Sequence, residues 1–486
     1  MGDANSRDHV AAADTQTEPS GANMCHMLIL PAELLKAVAA REQRIALVVG
    51  AGCSLEHPTG LKLASVYAAD THSQLVRDGV LAEGECATPT DLSAVATAVK
   101  NKSGHQSALV SRLPHSEFRM AQPNTGYLIA AALLRERVLD VVLTLNFDLA
   151  LSASLGRLSA FEVNVVPGPH AADQLASTAV IYLHRNVDEP DPERWILTAE
   201  ALAREWQGGW EEVVGRRVMA CPVVVFAGLG SPAAVLTATI ARVRAPLKAG
   251  QHHVFVVDPA ATTEFEAALH LEPAAHLQTG WCAFMEQIAA RLLVEFSSEL
   301  TAAGVNLCTE HGWSGEAEHL PELSDRLHAS GLVPLGKLRA RWLLEEEQYT
   351  PDDARKPLIA DLLLGIGLIE RAGGVKAIFR EDGVVELLRN GSLASRVLPV
   401  SGKGTLRWSA LESRVLLATS RAGKTEPPEY VIVSGVVGKP GSVAGPPEDV
   451  VMGAAGNDII DGFVRPKFIA VDDIRSDPAA VSSLIA

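Results

Sequence analysis

Val141–Ser152 reads VVLTLNFDLALS. An apolar, β-prone run leads into Leu145-Asn146-Phe147-Asp148, and a helical pattern resumes immediately afterwards. The run has no polar alternation, so it reads as a strand buried on both faces, as in a parallel sheet covered by helices. An amide and a carboxylate two residues apart then stand at the carboxyl end of that strand. In open α/β sheets this is the edge where ligands bind.

Working outward, similar apolar runs occur at Arg44–Val49, Val138–Leu145, Val163–Val166, Ala179–Leu183, Trp195–Thr198, Val223–Phe226 and His253–Val257. Helical patterns lie between several of them, notably Tyr127–Arg137 and Leu236–Leu247, and an amphipathic stretch near Ala275–Leu300 closes the series. This alternation predicts an α/β fold: a doubly wound, Rossmann-like, mostly parallel sheet over residues 24–305. Residues 1–23 are polar, lack the apolar core of a signal peptide, and read as a disordered tail. Residues 306–330 (NLCTEHGWSGEAEHLPELSDRLHAS) read as a linker or small helical connector. Beyond it a mixed α+β region, 331–486, is expected. Within it, 331–395 is mainly helical and ends in a hairpin, KAIFREDGVVELL, a pattern compatible with a winged-helix-like module. Residues 396–486 carry short strands, ESRVLLATS and EYVIVSG, among Gly- and Pro-rich turns.

The chain has 486 residues, too many for one ordinary core. Hydrophobic residues make up 48% and charged residues 21%, which suits a globular protein. No apolar run approaches the roughly 20 residues that span a bilayer, so no membrane association is expected. A formal net charge of −16 argues against duplex DNA as the main ligand, because cationic side chains supply most such affinity. Six dispersed cysteines (Cys25, Cys53, Cys86, Cys221, Cys282, Cys308) form no C-x-x-C pair. Neither a zinc ribbon nor a disulfide framework is expected, and a cytoplasmic location with buried thiols follows.

The first strand delivers VVGAGCSLEHPTG. Gly50 and Gly52 allow close approach of the backbone to a phosphate, and a following helix N-terminus attracts negative charge. The dehydrogenase fingerprint needs a third glycine where Leu55 stands, and an acidic residue ending a second strand; neither is present. A tight turn without a ligand remains an open reading, with Cys53 and Ser54 as turn residues.

Six segments occur in order: GAGCS, PNTGYLIAAALL, TLNFDLALSASL, YLHRNVDEP, VVVFAGLGSP and VFVVDPA. Together they resemble the sirtuin family, and more closely the sirtuin-like NADase domains of bacterial antiphage systems, over roughly residues 27–300. The resemblance implies that Gly50, Ala51, Gly52 and Ser54 line the pyrophosphate and nearby ribose of NAD+. It makes Asn146 and His184 the catalytic pair and sets Asp148 against the nicotinamide carboxamide. Gly228, Gly230 and Ser231 would form the second phosphate and ribose loop, with Asp258 on the adenosine ribose.

These residue types suit the chemistry. Cleaving the nicotinamide–ribose bond passes through an oxocarbenium-like centre, and an asparagine can hold a water beneath it without competing as a nucleophile. A histidine near pKa 6.5 accepts a proton from water or a ribose hydroxyl. Plainer readings stand beside these. Asn146 caps a helix, Asp148 complements a helix dipole, His184 is a hydrogen-bonded structural residue, and Asp258 before Pro259 starts a turn.

The departures from the family pattern are specific. Leu145 stands where protein-deacetylating members carry glutamine, and Arg185 stands where a glycine usually follows the histidine. The four zinc-binding cysteines of those members have no counterpart in the short loop VDEPDPE, so no zinc is expected. The resemblance implies an NAD+ hydrolase acting as an effector of abortive antiphage defence. A homo-oligomer or a defence partner (a ring-forming ATPase, an Argonaute or a nucleotide sensor) would control it. A sirtuin-type deacylase or ADP-ribosyltransferase, and a catalytically silent NAD-binding scaffold, are the alternatives.

Overall fold

The computed structural model describes residues 29–205, 209–229, 252–260, 267, 271–313, 315–344, 355–402, 406–421, 428–435, 466–477 and 479–485. The expected tail 1–23, the helix 236–247, Gly230, Ser231 and Cys25 lie outside them.

Seven strands form one wholly parallel sheet: β1 (Ile45–Val49), β2 (Leu139–Thr144), β3 (Asn164–Val166), β4 (Ala179–Tyr182), β5 (Val223–Ala227), β6 (His253–Val257) and β7 (His276–Leu277). Their order is β3-β4-β2-β1-β5-β6-β7. After β1 the chain lays β2 beside it, then β3 at the sheet edge and β4 between them, and only then crosses to the other side of β1 for β5. The loops leaving β1, β2 and β5 therefore converge at the point where the winding reverses, which is where a ligand crevice opens. Side chains alternate between faces. Ile45, Leu47 and Val49 enter one core, and Ala46 and Val48 enter another with Val141, Leu143, Ile181 and Val214. Burial of both faces accounts for the unbroken apolar runs.

Two sequence expectations change here. Trp195–Thr198 is apolar and buried but is not a strand. Its polar groups bond to loops and side chains: the Trp195 indole N–H donates to the Glu189 carbonyl (3.1 Å), and Gln106 Nε2 donates to the Trp195 carbonyl (2.7 Å). Thr198 Oγ1 accepts from the Ala201 amide (3.2 Å) at the start of the next helical turn. The closing helix spans Trp281–His311, beginning after β7 and running well past Leu300. The boundary expected at 305 thus lies inside a continuous helix of 31 residues.

The connector is helical over Leu320–His328 and is packed rather than loose. Leu320, Leu323 and Leu327 join the same core cluster as the long helix and the helix Lys356–Gly373. Arg475, from the short helix Val471–Ser476, lies 3.5 Å over the Trp313 ring and pairs with Asp361 (2.7 Å) and Glu316 (3.2 Å). Such a cation over an indole face, held by two carboxylates, ties the Val471–Ser476 helix to the connector.

The C-terminal region carries a second sheet of order β12-β11-β10-β9-β8, comprising β8 (Lys376–Phe379), β9 (Val385–Arg389), β10 (Ser392–Ser401), β11 (Tyr430–Ser434) and β12 (Lys467–Ala470). β8, β9 and β10 pair antiparallel, whereas β10–β11 and β11–β12 are parallel. The hairpin KAIFREDGVVELL forms as expected, but as part of a five-stranded mixed sheet, not as the wing of a winged helix. ESRVLLATS is not a strand; it lies in the helix Trp408–Arg421. Trp408, Leu411 and Val415 are buried there at three- and four-residue spacing, the helical period.

Gly304 sits where the long helix meets the connector. A Cβ there would come 2.0 Å from Leu320 Cδ2 and 3.6 Å from the Ala360 side chain. Gly304→Ala is expected to push these helices apart and destabilise the chain by about 1–3 kcal/mol, the usual cost of overpacking. A lowered melting temperature checks this; an unchanged one contradicts tight docking of the two regions.

Candidate active site

β1 ends in the loop Gly50–Ser54, whose residues Ala51–Ser54 form one 3₁₀ turn. The anion-attracting α-helix expected directly after the glycines is not there; the next one begins at Ala64. The glycines instead permit two loops to touch. The Gly50 amide donates to the Ala227 carbonyl (2.9 Å), and the Gly52 amide to the Gly228 carbonyl (2.8 Å). A Cβ on Gly50 would meet Gly228 O at 2.6 Å, and one on Gly52 would meet Gly228 Cα at 2.7 Å. Gly228 itself has φ +63°, and its Cβ would meet the Cys53 nitrogen at 2.4 Å.

Asn146 leaves β2 and turns its amide inward. Nδ2 donates to Gly50 O, Ser54 Oγ and Tyr127 Oη, each at 3.1 Å. A carbonyl only accepts, so the Gly50 contact fixes which end of the amide is nitrogen. Oδ1 is left without a protein donor among the described residues. Ser54 donates to Asp148 Oδ2 (2.9 Å), and Tyr127 Oη lies 2.8 Å from Ser54 Oγ. Asp148 Oδ1 accepts from the Ala150 amide (3.0 Å) at the start of the next helix, while Oδ2 is the oxygen turned to Ser54. Burial raises the Asp148 pKa above the ordinary carboxylate range, against the hydrogen bonds from Ala150 and Ser54 that lower it.

The residue between them anchors the turn. Phe147 stacks on Trp195 at 4.9 Å between centroids, and its carbonyl accepts from Val187 N (2.9 Å). Tyr127 lies fully buried at the head of the helix Thr125–Arg135, which Asn124 caps through Tyr127 N (3.1 Å). Asn124 Nδ2 also donates to the Cys53 carbonyl (2.8 Å), bracing the glycine loop.

These groups open onto one cavity of about 420 Å³, lined by Gly50, Ala51, Ser54, Asn146, Asp148 and Gly228 at its polar end. Leu61, Leu63, Tyr67, Leu92, Leu113, Phe118 and Phe147 form its apolar wall. This size falls within the 300–1,000 Å³ of small-molecule sites. The structure therefore gathers six of the expected residues. Gly52 lies behind them in the loop contact. His184, two residues beyond β4, and Asp258, after β6, are at the same sheet edge but do not line this cavity. Asp258 Oδ1 accepts from the Ala260 amide (2.8 Å), the turn geometry of its plainer reading.

Burial, then the neighbouring Arg185 charge, lower the His184 pKa to about 4, so its ring is neutral near pH 7. Arg185 adopts φ 79°, the left-handed conformation that favours glycine. Its stem packs over Gly168, where a Cβ would meet Arg185 Cδ at 3.0 Å. It is buried and does not line the cavity. Among the described residues no group of three or more His, Cys, Asp or Glu side chains is placed to hold a metal, and no helix is long and apolar enough to cross a membrane.

Sequence reasoning named most of the polar wall but missed Tyr127, Phe147 and Trp195. The spacing of Asn124 and Tyr127, a cap and a residue on its first turn, was the available signal for the first of these.

No sequence-family model matches the chain, and no curated protein matches it. Solved structures with which it shares a partial likeness include a Sir2 homologue in complex with ADP-ribose, at 16% identity and TM-score 0.32 over 54% of this chain and 96% of that chain. Another is a Sir2 homologue–NAD complex, at 15% identity and TM-score 0.32 over 55% and 95%.

Gly228→Ala combines a left-handed φ with a clash against backbone. It is expected to cost about 2 kcal/mol or more and to separate the two glycine loops. Thermal melting and loss of small-ligand binding check this; a variant as stable as the parent contradicts the role given to the loop contact.

Proposed function

We propose that this chain hydrolyses NAD+ at the nicotinamide–ribose bond, releasing nicotinamide, ADP-ribose and a proton. The observation that carries the reading is the fixed Asn146 amide. Its nitrogen is committed to Gly50, Ser54 and Tyr127, leaving Oδ1 as an acceptor for a water hydrogen. Asp148 shares the cavity wall and would orient the leaving carboxamide. Gly50, Ala51, Gly52, Gly228 and the backbone of Ser54, with Gly230, Ser231 and Asp258, are proposed for the dinucleotide. His184 is proposed as the base. A base of pKa about 4 stays neutral but has little driving force near pH 7, so contact with substrate must raise its basicity.

The proposed role is depletion of NAD+ in antiphage defence within the cytoplasm, without a structural zinc. An enzyme that destroys a shared cofactor must be silent at rest, and the region after the catalytic domain is the proposed control element, acting through self-association or a partner. A switch of this kind needs only a few kcal/mol of differential affinity between states.

Asn146→Ala is expected to abolish NAD+ loss while circular dichroism stays unchanged, and His184→Ala to do the same. Full activity in the Asn146 variant sinks the assignment. If Asp148 acts ionised, activity falls with acid through a limb displaced above the usual carboxylate pKa of about 4. A limb below it would mean that Asp148 is not the titrating group.

Control is tested by comparing the full chain alone with the chain plus its genomic neighbour's product. The lone chain is expected to be weakly active and the partner to raise turnover by about 10²-fold or more, roughly the shift of a few kcal/mol. Full-speed hydrolysis by the lone chain, unchanged by the partner, removes that role.

A further inference from the structure

We propose that Ser54 and Tyr127 are positioning residues for Asn146 and Asp148, and that the Ser54 hydroxyl binds no part of the substrate. This rests on the hydrolase reading for its kinetic consequence, but its geometry is independent of it.

A serine hydroxyl has one proton to donate and two lone pairs. In Ser54 the proton goes to Asp148 Oδ2 (2.9 Å). Its lone pairs face Asn146 Nδ2 (3.1 Å) and Tyr127 Oη (2.8 Å). Tyr127 Oη itself accepts from Asn146 Nδ2 (3.1 Å), so its own proton is free to point at Ser54. The directions then close with one shared proton: Tyr127 donates to Ser54, Ser54 to Asp148, and of the two Asn146 amide protons one goes to Gly50 O while the other is shared between the two hydroxyls. Every capacity of Ser54 is used by protein, and only 2% of its surface is exposed. A phosphate or ribose oxygen would have to break one of these bonds to engage it. Tyr127 is deeper still, at 1% exposure, with its ring 5.9 Å from that of Trp281. Neither residue touches the reacting atoms; both act through the amide and the carboxylate they hold.

The two roles for Ser54 separate experimentally. In the full-length protein, Ser54→Ala and Tyr127→Phe are compared with the parent for kcat, KM and calorimetric ADP-ribose affinity, and their crystal structures are determined. Positioning predicts kcat lower by about tenfold in Ser54→Ala and severalfold in Tyr127→Phe, with ADP-ribose affinity unchanged within about twofold. The structures are expected to show the Asn146 amide turned away from Gly50 O or split between rotamers. A tenfold loss of ADP-ribose affinity at unchanged kcat would make Ser54 a ligand and overturn the inference. If the parent protein does not hydrolyse NAD+, the hydrolase reading falls and the structures alone decide. An Asn146 side chain undisturbed in both variants then refutes positioning.

Discussion

The contact on which the site depends is backbone to backbone: the Gly52 amide donating to the Gly228 carbonyl at 2.8 Å. It joins the loop after β1 to the loop after β5, on neighbouring central strands. Any side chain at Gly50, Gly52 or Gly228 would stand within van der Waals radii of the opposite loop. Three glycines that invite a phosphate-binding reading are thus required before any ligand is considered. The two readings are compatible, because loops pressed this close present their remaining amides at one rim. They differ in what a substitution does, since a packing glycine cannot be replaced without moving the loop that carries Ser54.

That placement makes the buried polar cluster affordable. Ser54, Asn146, Asp148 and Tyr127 are all nearly without solvent, and an unpaired polar group at such depth costs about 1–3 kcal/mol. Each finds partners among the others or on Gly50 and Ala150, so burial stiffens the cluster instead of destabilising it. The carboxylate still carries an uncompensated desolvation cost, seen in its raised pKa. A group poised in this way responds strongly to a polar ligand that replaces lost solvent. The same cavity has an apolar wall, and Asn146 Oδ1 remains as an acceptor at its polar end.

Much of the sheet was legible in the sequence because a strand buried on both faces has no alternation to confuse and must sit between helices. Six of the seven expected strand runs are strands, and the polar pair after β2 does stand at the cavity. Trp195–Thr198 misled for a physical reason: an apolar run is equally the signature of an anchored loop whose side chains fill a core. Here Trp195 backs Phe147, its carbonyl accepts from Gln106, and its indole N–H donates to the Glu189 carbonyl. ESRVLLATS misled because a short apolar run supports either period until Trp408 and Leu411 are included. β7, two residues long, carries no readable pattern. Tyr127 was hidden because a helix-borne tyrosine in an apolar run looks like core, and only the fold brings its hydroxyl to Asn146.

The long helix gives the two regions a mechanical connection that composition alone did not suggest. Its first residue, Trp281, packs against Tyr127, and Gly126 exists without a side chain because a Cβ there would lie 2.1 Å from Trp281 Nε1. Glu56, from the loop after β1, accepts from the Cys282 amide at 3.1 Å and so holds the same helix end. At Gly304, further along the same helix, it is clasped by Leu320 of the connector and Ala360 of the Lys356–Gly373 helix. At about 1.5 Å per residue the helix carries this contact roughly 35 Å from Trp281. A close-packed interior transmits displacement because neighbouring side chains have no free volume in which to absorb it. A change in how the C-terminal region is packed would therefore arrive at Trp281, next to the tyrosine that helps fix the asparagine amide. The control proposed for the C-terminal region would then need no contact with the cavity itself, only a shift of this helix.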